Sequence, residues 1–143
     1  MTTDVEEVKR ECAALRTRMA SRRITRAYDE ALRPLDLKVT QFTLLVAIRQ
    51  GAPRSISELA DALAMERTTL TRNLKLLEGK GLIEIAPEGH RRARTMRLTS
   101  KGEEKLDQAM PVWRAAQDRL VRRLGRERWD AAKTLLEELA AVS

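Results

Sequence analysis

Two stretches, Ser57-Glu-Leu-Ala-Asp-Ala-Leu-Ala64 and Arg67-Thr-Thr-Leu-Thr-Arg-Asn-Leu-Lys-Leu-Leu-Glu78, decide the fold of this 143-residue chain. The spacing predicts two short helices joined by a tight turn. On the second, Leu70, Leu74 and Leu77 share one face, and Thr68, Thr71, Arg72 and Lys75 share another about 140° away. One side suits a core, and the other offers hydroxyls and cations. Short Thr side chains near a helix start can reach base edges and phosphates, and Arg can pair bidentately with guanine. An ordinary amphipathic surface helix would look the same in isolation, so the residues on its C-terminal side carry weight. Gly81 suits a left-handed helix end. Leu82 to Ala86 and Arg94 to Leu98 then alternate as strands around the tip Gly89-His-Arg-Arg-Ala-Arg94. Between Gly89 and Gly102 stand Arg91, Arg92, Arg94, Arg97 and Lys101, with no acid. A positive hairpin tip beside a reader helix suits the narrow minor groove. From Ile56 to Thr99 the order therefore reads as a winged helix-turn-helix.

Working outward, Ser55-Ile56 is expected as a short strand and Ser57 as the cap of the first short helix. Before them, Gln41 to Gln50 is apolar almost all round and predicts a buried helix, capped by Thr40 and stopped by Gly51-Ala-Pro53. The N-terminal segment has no Pro or Gly from Asp4 to Leu32. Its apolar residues Val5, Val8, Cys12, Leu15 and Met19 predict one long helix with a narrow seam, resuming after a slip at Ile24, Tyr28, Ala31 and Leu35. Arg16, Arg18, Arg22, Arg23, Arg26 and Arg33 around it form either a solvated basic face or contacts to DNA phosphates. Pro34 ends this helix or starts a turn. After the wing, Ser100-Lys-Gly-Glu103 fits a capping box, with Thr99 as a competing cap. The next helix carries a seam at Leu106, Met110, Trp113, Gln117, Leu120 and Leu124, with Pro111 as a kink site. Gly125 breaks the chain before a last helix with Trp129, Ala132, Leu136 and Leu139 on one side. Both ends thus hold more apolar seam than a small domain can hide, which makes homodimerisation through them the economical reading.

Composition narrows the function classes. The 28 basic and 21 acidic residues leave a net charge of +7, which attracts polyanions, nucleic acid before an anionic membrane surface. The longest apolar run, Leu44 to Ile48, falls far short of the roughly 20 residues that cross a bilayer. With no basic segment leading into an apolar stretch at the N-terminus, a cytoplasmic location is expected. One Cys and one His exclude an internal disulfide framework and argue against a structural zinc site, so neither metal nor cofactor is expected. No nucleophile–base pair or phosphate-binding Gly loop appears, which argues against an enzyme.

Thr40-Gln-Phe42, Ser57-Glu-Leu-Ala60, Thr69-Leu-Thr-Arg72, Glu78-Gly-Lys-Gly-Leu-Ile83, the Arg-rich wing and Leu98-Thr-Ser-Lys-Gly102, in this order, resemble the MarR family of bacterial transcription regulators over nearly the whole chain. The resemblance implies a mainly α fold: a winged helix-turn-helix with long N- and C-terminal dimerisation helices and a small two- or three-stranded antiparallel wing sheet. It implies a triangular homodimer on a pseudo-palindromic operator, with residues 1–36 and 103–143 dimerising and residues 37–102 forming the DNA-binding lobe. Family members are usually repressors released by small phenolic or lipophilic ligands or by cysteine oxidation.

By position, Thr68, Thr69, Thr71 and Arg72 become recognition-helix residues and Arg92 the minor-groove arginine. Arg67, Lys75, His90, Arg91 and Arg94 complete the expected DNA-binding set. Two positions depart from the family: His90 replaces the usual wing aspartate, and Ala64 stands in the turn where Gly is common. Cys12 is open to two readings, a redox sensor as in some relatives or a small buried hydrophobe of the Val5 to Met19 seam. Fold analogy places an effector pocket between the dimerisation helices and the lobe, near Tyr28, Phe42 or Trp113. The expected function is a ligand- or redox-responsive repressor that binds double-stranded DNA. The alternative is an unregulated basic winged-helix module with an architectural or RNA-related role.

Overall fold

A computed structural model describes residues 3–51, 55–86 and 95–143. The elements in order are α1 (Asp4–Glu11), α2 (Ala13–Leu32), a 3-10 turn (Arg33–Leu35), α3 (Val39–Gly51), α4 (Ile56–Leu63), α5 (Arg67–Gly79), β1 (Ile83–Ile85), β2 (Met96–Leu98), α6 (Ser100–Leu124) and α7 (Arg126–Val142). The architecture is mainly α with a two-stranded antiparallel sheet in which Ile83 faces Leu98, Glu84 faces Arg97 and Ile85 faces Met96. The long seamed helices flank the winged helix-turn-helix order as expected. No helix among the described residues is long and apolar enough to cross a membrane.

One core holds the lobe together. Phe42, Leu44, Leu45 and Ile48 of α3, Leu59 and Ala60 of α4, Leu70, Leu74 and Leu77 of α5, Leu82, Ile83 and Met96 of the wing, and Leu106 and Ala109 of α6 are all buried in it. Each such large side chain contributes about 1.5–3 kcal/mol by leaving water. Arg49 of α3 braces the outside of the same packing by reaching Glu103 and Asp107 on α6. That ion pair is exposed and worth about 0.2–1 kcal/mol, so the leucines, and not the charges, fix the helix positions.

Four local expectations are corrected. The N-terminal helix is not continuous: Cys12 adopts ψ 112, an extended conformation, and separates α1 from α2. Nothing in α1 is buried within the chain, so no packing holds it in line with α2. The Arg16 guanidinium instead donates to the Arg10 carbonyl across the break. Ser55-Ile56 is not a strand, and Ser55 rather than Ser57 is the cap. Its Oγ accepts from Glu58 N at 3.0 Å, which leaves Ser57 inside the first turn. Thr40 is not a cap either, since α3 begins one residue earlier. The Val39 amide donates to Asp29 Oδ1 at 2.8 Å, a cap supplied by α2. Of the two candidate caps for α6, Thr99 is used: its Oγ1 accepts from Gly102 N at 3.0 Å. The helix then runs through Pro111 without interruption.

Candidate nucleic-acid interface

The candidate reader is α5, and its orientation comes from its leucines. Leu70 and Leu77 are 0% exposed and Leu74 1%, so that face is fully in the core. On the opposite side Arg67, Thr68, Thr69, Arg72 and Lys75 are exposed and Thr71 half-exposed. Arg67, Thr68, Thr71, Arg72 and Lys75 line one open depression of about 640 Å³. The structure thus gathers the helix residues singled out in the sequence into one surface. Asn73 turns inward along the helix, its Nδ2 donating to the Thr69 carbonyl at 2.9 Å.

Both ends of α5 are shaped by particular residues. At the start, Glu66 has extended backbone and makes no side-chain cap, so the first-turn amides receive no side-chain oxygen from it. Such amides, at the positive end of the helix dipole, favour an anion such as a phosphate. The turn before it depends on Ala64, whose φ of 51 lies in the left-handed region. There the Met65 amide reaches back to Ala60 O at 2.9 Å. This is the physical reason a Gly would suit position 64. At the far end Gly81, with φ 73, allows Leu82 N to donate to Leu77 O at 3.0 Å and turns the chain into β1.

The wing is braced across its two strands. Glu84 on β1 accepts from Arg97 Nε at 2.8 Å and Nη2 at 2.6 Å. This pair supplies an ion bridge in a wing whose expected aspartate position is His90. Two of the five cations counted between Gly89 and Gly102 therefore have structural tasks: Arg97 holds Glu84, and Lys101 Nζ donates to the Lys80 carbonyl at 2.9 Å. The tip residues His90, Arg91, Arg92 and Arg94 lie outside the described residues.

Of the three residues expected near an effector pocket, two are in contact with each other and the third bonds the helix that carries one of them. Phe42 and Trp113 stack with ring centroids 6.0 Å apart; Phe42, 3% exposed, belongs to the core, and the half-buried Trp113 packs against it. Tyr28 lies on the contact between α2 and α6 and donates to Gln117 Oε1. Burial pushes its phenol above the usual 10.0. A cleft of about 650 Å³ does open between α2 and the lobe, but none of the three lines it. Its lining residues are mostly charged or polar and include Arg22, Arg26, Asp29, Lys38, Gln41 and Lys80, whose aliphatic stems contribute to the surface. Cys12, the one cysteine of the chain, is half-buried at the α1–α2 break. Among the described residues no cluster of His, Cys, Asp and Glu is arranged to hold a metal ion.

A family model described as the MarR family matches residues 35–93, from the turn after α2 into the wing. The transcriptional regulator MosR of M. tuberculosis, in complex with DNA, is 39% identical, with 92% of this chain and 98% of that chain covered and a TM-score of 0.77. The transcriptional repressor CouR, bound to a 23-mer DNA duplex, is 27% identical over 98% of this chain and 99% of that one, with a TM-score of 0.80. A mutant of MarR from E. coli, complexed with operator DNA, is 25% identical over 93% and 96%, with a TM-score of 0.80. The likeness covers the long N- and C-terminal helices as well as α4 and α5, and the chain belongs to the MarR family of transcription regulators.

Proposed function

We propose that the protein is a homodimeric repressor that reads a pseudo-palindromic operator with two copies of α5. The observation that carries this is the division of α5 into a buried leucine face and an exposed face of Thr68, Thr71, Arg72 and Lys75. Thr69 and Arg67 flank that face at the helix start, where the uncapped amides can take a phosphate. The wing arginines, Arg92 first, then reach the neighbouring minor groove with His90, Arg91 and Arg94 around it. The role is one of binding, without a catalytic step, in agreement with relatives that are transcription regulators.

The exposed apolar side chains supply the second half of the proposal. Val5 and Val8 on α1, and Leu135, Leu136, Leu139 and Val142 on α7, are all left in water by a single chain. Segments 1–36 and 103–143 bury them in the dimer, and residues 37–102 act as the reading lobe. A two-fold axis between the copies then requires half-sites about one helical turn apart.

Selection from a random duplex pool by the purified protein tests the reading, in buffer alone and with peroxide or aromatic acids present. One enriched palindrome, lost with an added effector, is the expected result. Arg72→Ala should flatten the base preference at one position by about 1–3 kcal/mol. Lys75→Ala should weaken all duplexes alike and lower the salt slope by about 1. No enrichment over random sequence at physiological salt would favour an unregulated architectural module instead. Loss of a peroxide response in Cys12→Ser would assign sensing to that thiol, and a persistent response would remove it.

A further inference from the structure

The C-terminal end of α5 is tied to the hinge at which the dimerisation helix meets the lobe. Lys80 follows α5 directly, and its Nζ donates to the Asp36 carbonyl at 2.8 Å and lies 3.6 Å from Asp36 Oδ2. It also reaches Gln41 Oε1 at 3.5 Å. Gln41 is the one buried polar residue of the described core, 5% exposed, and the same oxygen accepts from Lys38 N at 3.1 Å. Asp36 itself is held at φ 52, in the left-handed region, where the chain leaves the 3-10 turn for α3. Two further lysines close the joint from α6: Lys105 Nζ donates to Leu35 O at 2.9 Å, and Lys101 Nζ to Lys80 O at 2.9 Å.

These contacts have a common geometry. The carbonyls of Leu35, Asp36 and Lys80 all lie at the ends of helical segments, Leu35 and Asp36 at the close of the 3-10 turn and Lys80 at the cap of α5, where helical amides run out. Two take an ammonium from α6, Lys105 and Lys101, and the third takes that of Lys80 at the end of α5, so the exit of α2, the end of α5 and the start of α6 are cross-linked by charge-assisted bonds. The leucine face sets how deeply α5 sits in the lobe, but a helix anchored by one stripe can still rock about it. A bond from the residue that follows it, Lys80, to the α2–α3 hinge removes that freedom.

We propose that Lys80 is a positioning residue for DNA reading: it fixes the angle of α5 to the dimerisation helices, and so the register of the two reader helices on an operator. The inference rests on the repressor reading. Lys80 touches no base or phosphate in this scheme, because it lies at the opposite end of α5 from Thr68 and Arg72.

Lys80→Met keeps the aliphatic stem and deletes the donors. The probes are the duplex that the wild-type dimer enriches from a random pool and a random duplex of equal length. Expected for the variant are about tenfold weaker binding to the enriched duplex, random-duplex binding within about twofold, an unchanged salt slope and a melting temperature within a few degrees. Lys80→Arg, which retains the charge and donors, should recover most of the loss. Unchanged affinity for the enriched duplex overturns the proposal. So does a salt slope reduced by about 1, which would make Lys80 a phosphate contact. Equal loss on both duplexes with early melting would make it a fold element only, and overturns it too. Failure of the wild-type protein to enrich any duplex would instead refute the repressor reading on which the proposal stands.

Discussion

Replacing Gly102 by Ala should break the joint between the wing and the long C-terminal helix. Gly102 sits in the first turn of α6, and a Cβ there would stand 1.9 Å from the Leu82 carbonyl oxygen and 2.9 Å from its carbon. An ordinary carbon–oxygen contact is about 3.3–3.6 Å, so the two backbones must separate by roughly 1.4 Å. Neither partner is free to yield. Leu82 is 1% exposed, and its carbonyl already accepts from Thr99 N at 3.0 Å. Thr99 Oγ1 meanwhile bonds Gly81 O at 2.6 Å. Overpacking costs about 1–3 kcal/mol, and the two weakened hydrogen bonds add about 0.5–1.5 each. The better helix propensity of Ala returns about 1 kcal/mol. The net loss is about 3 kcal/mol, or roughly 10 °C in melting temperature for a chain of this size. Urea denaturation at one fixed protein concentration measures it, since dimer stability depends on concentration. Gly79→Ala is the control: a Cβ there meets nothing within 4 Å, and the helical site should gain about 0.5–1 kcal/mol. A Gly102→Ala variant within about 1 kcal/mol of the parent would refute the close approach of α6 to Leu82.

Two further substitutions probe single features. Ala64→Gly should stabilise by about 0.5–1 kcal/mol, because an L-residue in the left-handed region costs about 1–2 and the greater freedom of an unfolded Gly takes back about 0.4–1. A lower urea midpoint would contradict the left-handed cap at that turn. Tyr28→Phe should alter the alkaline limb of the stability curve. Burial raises the phenol of the folded state above 10.0, so the neutral form carries stability that is complete below the unfolded value and is lost as pH climbs from 10 through the folded one. The Phe variant should show a flatter decline there, and an identical slope in both proteins would refute the assignment.

The reader was legible in the sequence because a period of 3.6 survives any packing detail: Leu70, Leu74 and Leu77 had to face inward together, whatever covered them. Gly81 and Gly125 were legible for a related reason, as both occupy positive φ. The break at Cys12 was not legible, since its cause is the absence of anything for α1 to pack on within one chain. The cap of α4 was not legible: Ser57 has the residue type of a cap, but so does Ser55, expected instead in a short strand, and only the entry path of the chain chooses between them. The charge of the wing was misleading in part, because Arg97 and Lys101 look like DNA contacts until their partners Glu84 and Lys80 are placed opposite them. Lys80 itself read simply as a residue at a helix end. Its partners come from the α2–α3 hinge and from α6, and no local pattern announces such a meeting.

The exposed seams and the reader are two sides of one requirement. Neither α1 nor α7 buries a single residue within the chain, and Val5 at 79% and Val142 at 82% exposure lie at their outer ends. An isolated helix of 8 residues is marginal in water, and in the proposed dimer a second copy covers the apolar stripe of α1 and the exposed leucines of α7. In that proposed dimer, assembly helps to hold α1 and α7 in place, while the lobe keeps its own core through Leu44, Leu70 and Leu106. Whatever loosens the seam leaves each lobe folded but frees it from its twin. Two unlinked readers lose the fixed spacing of their Arg72 faces, and with it the gain of binding two half-sites as one event. On this proposed arrangement a signal need not touch α5 to release DNA: a small shift at the seam, or at the hinge that Lys80 spans, would be enough.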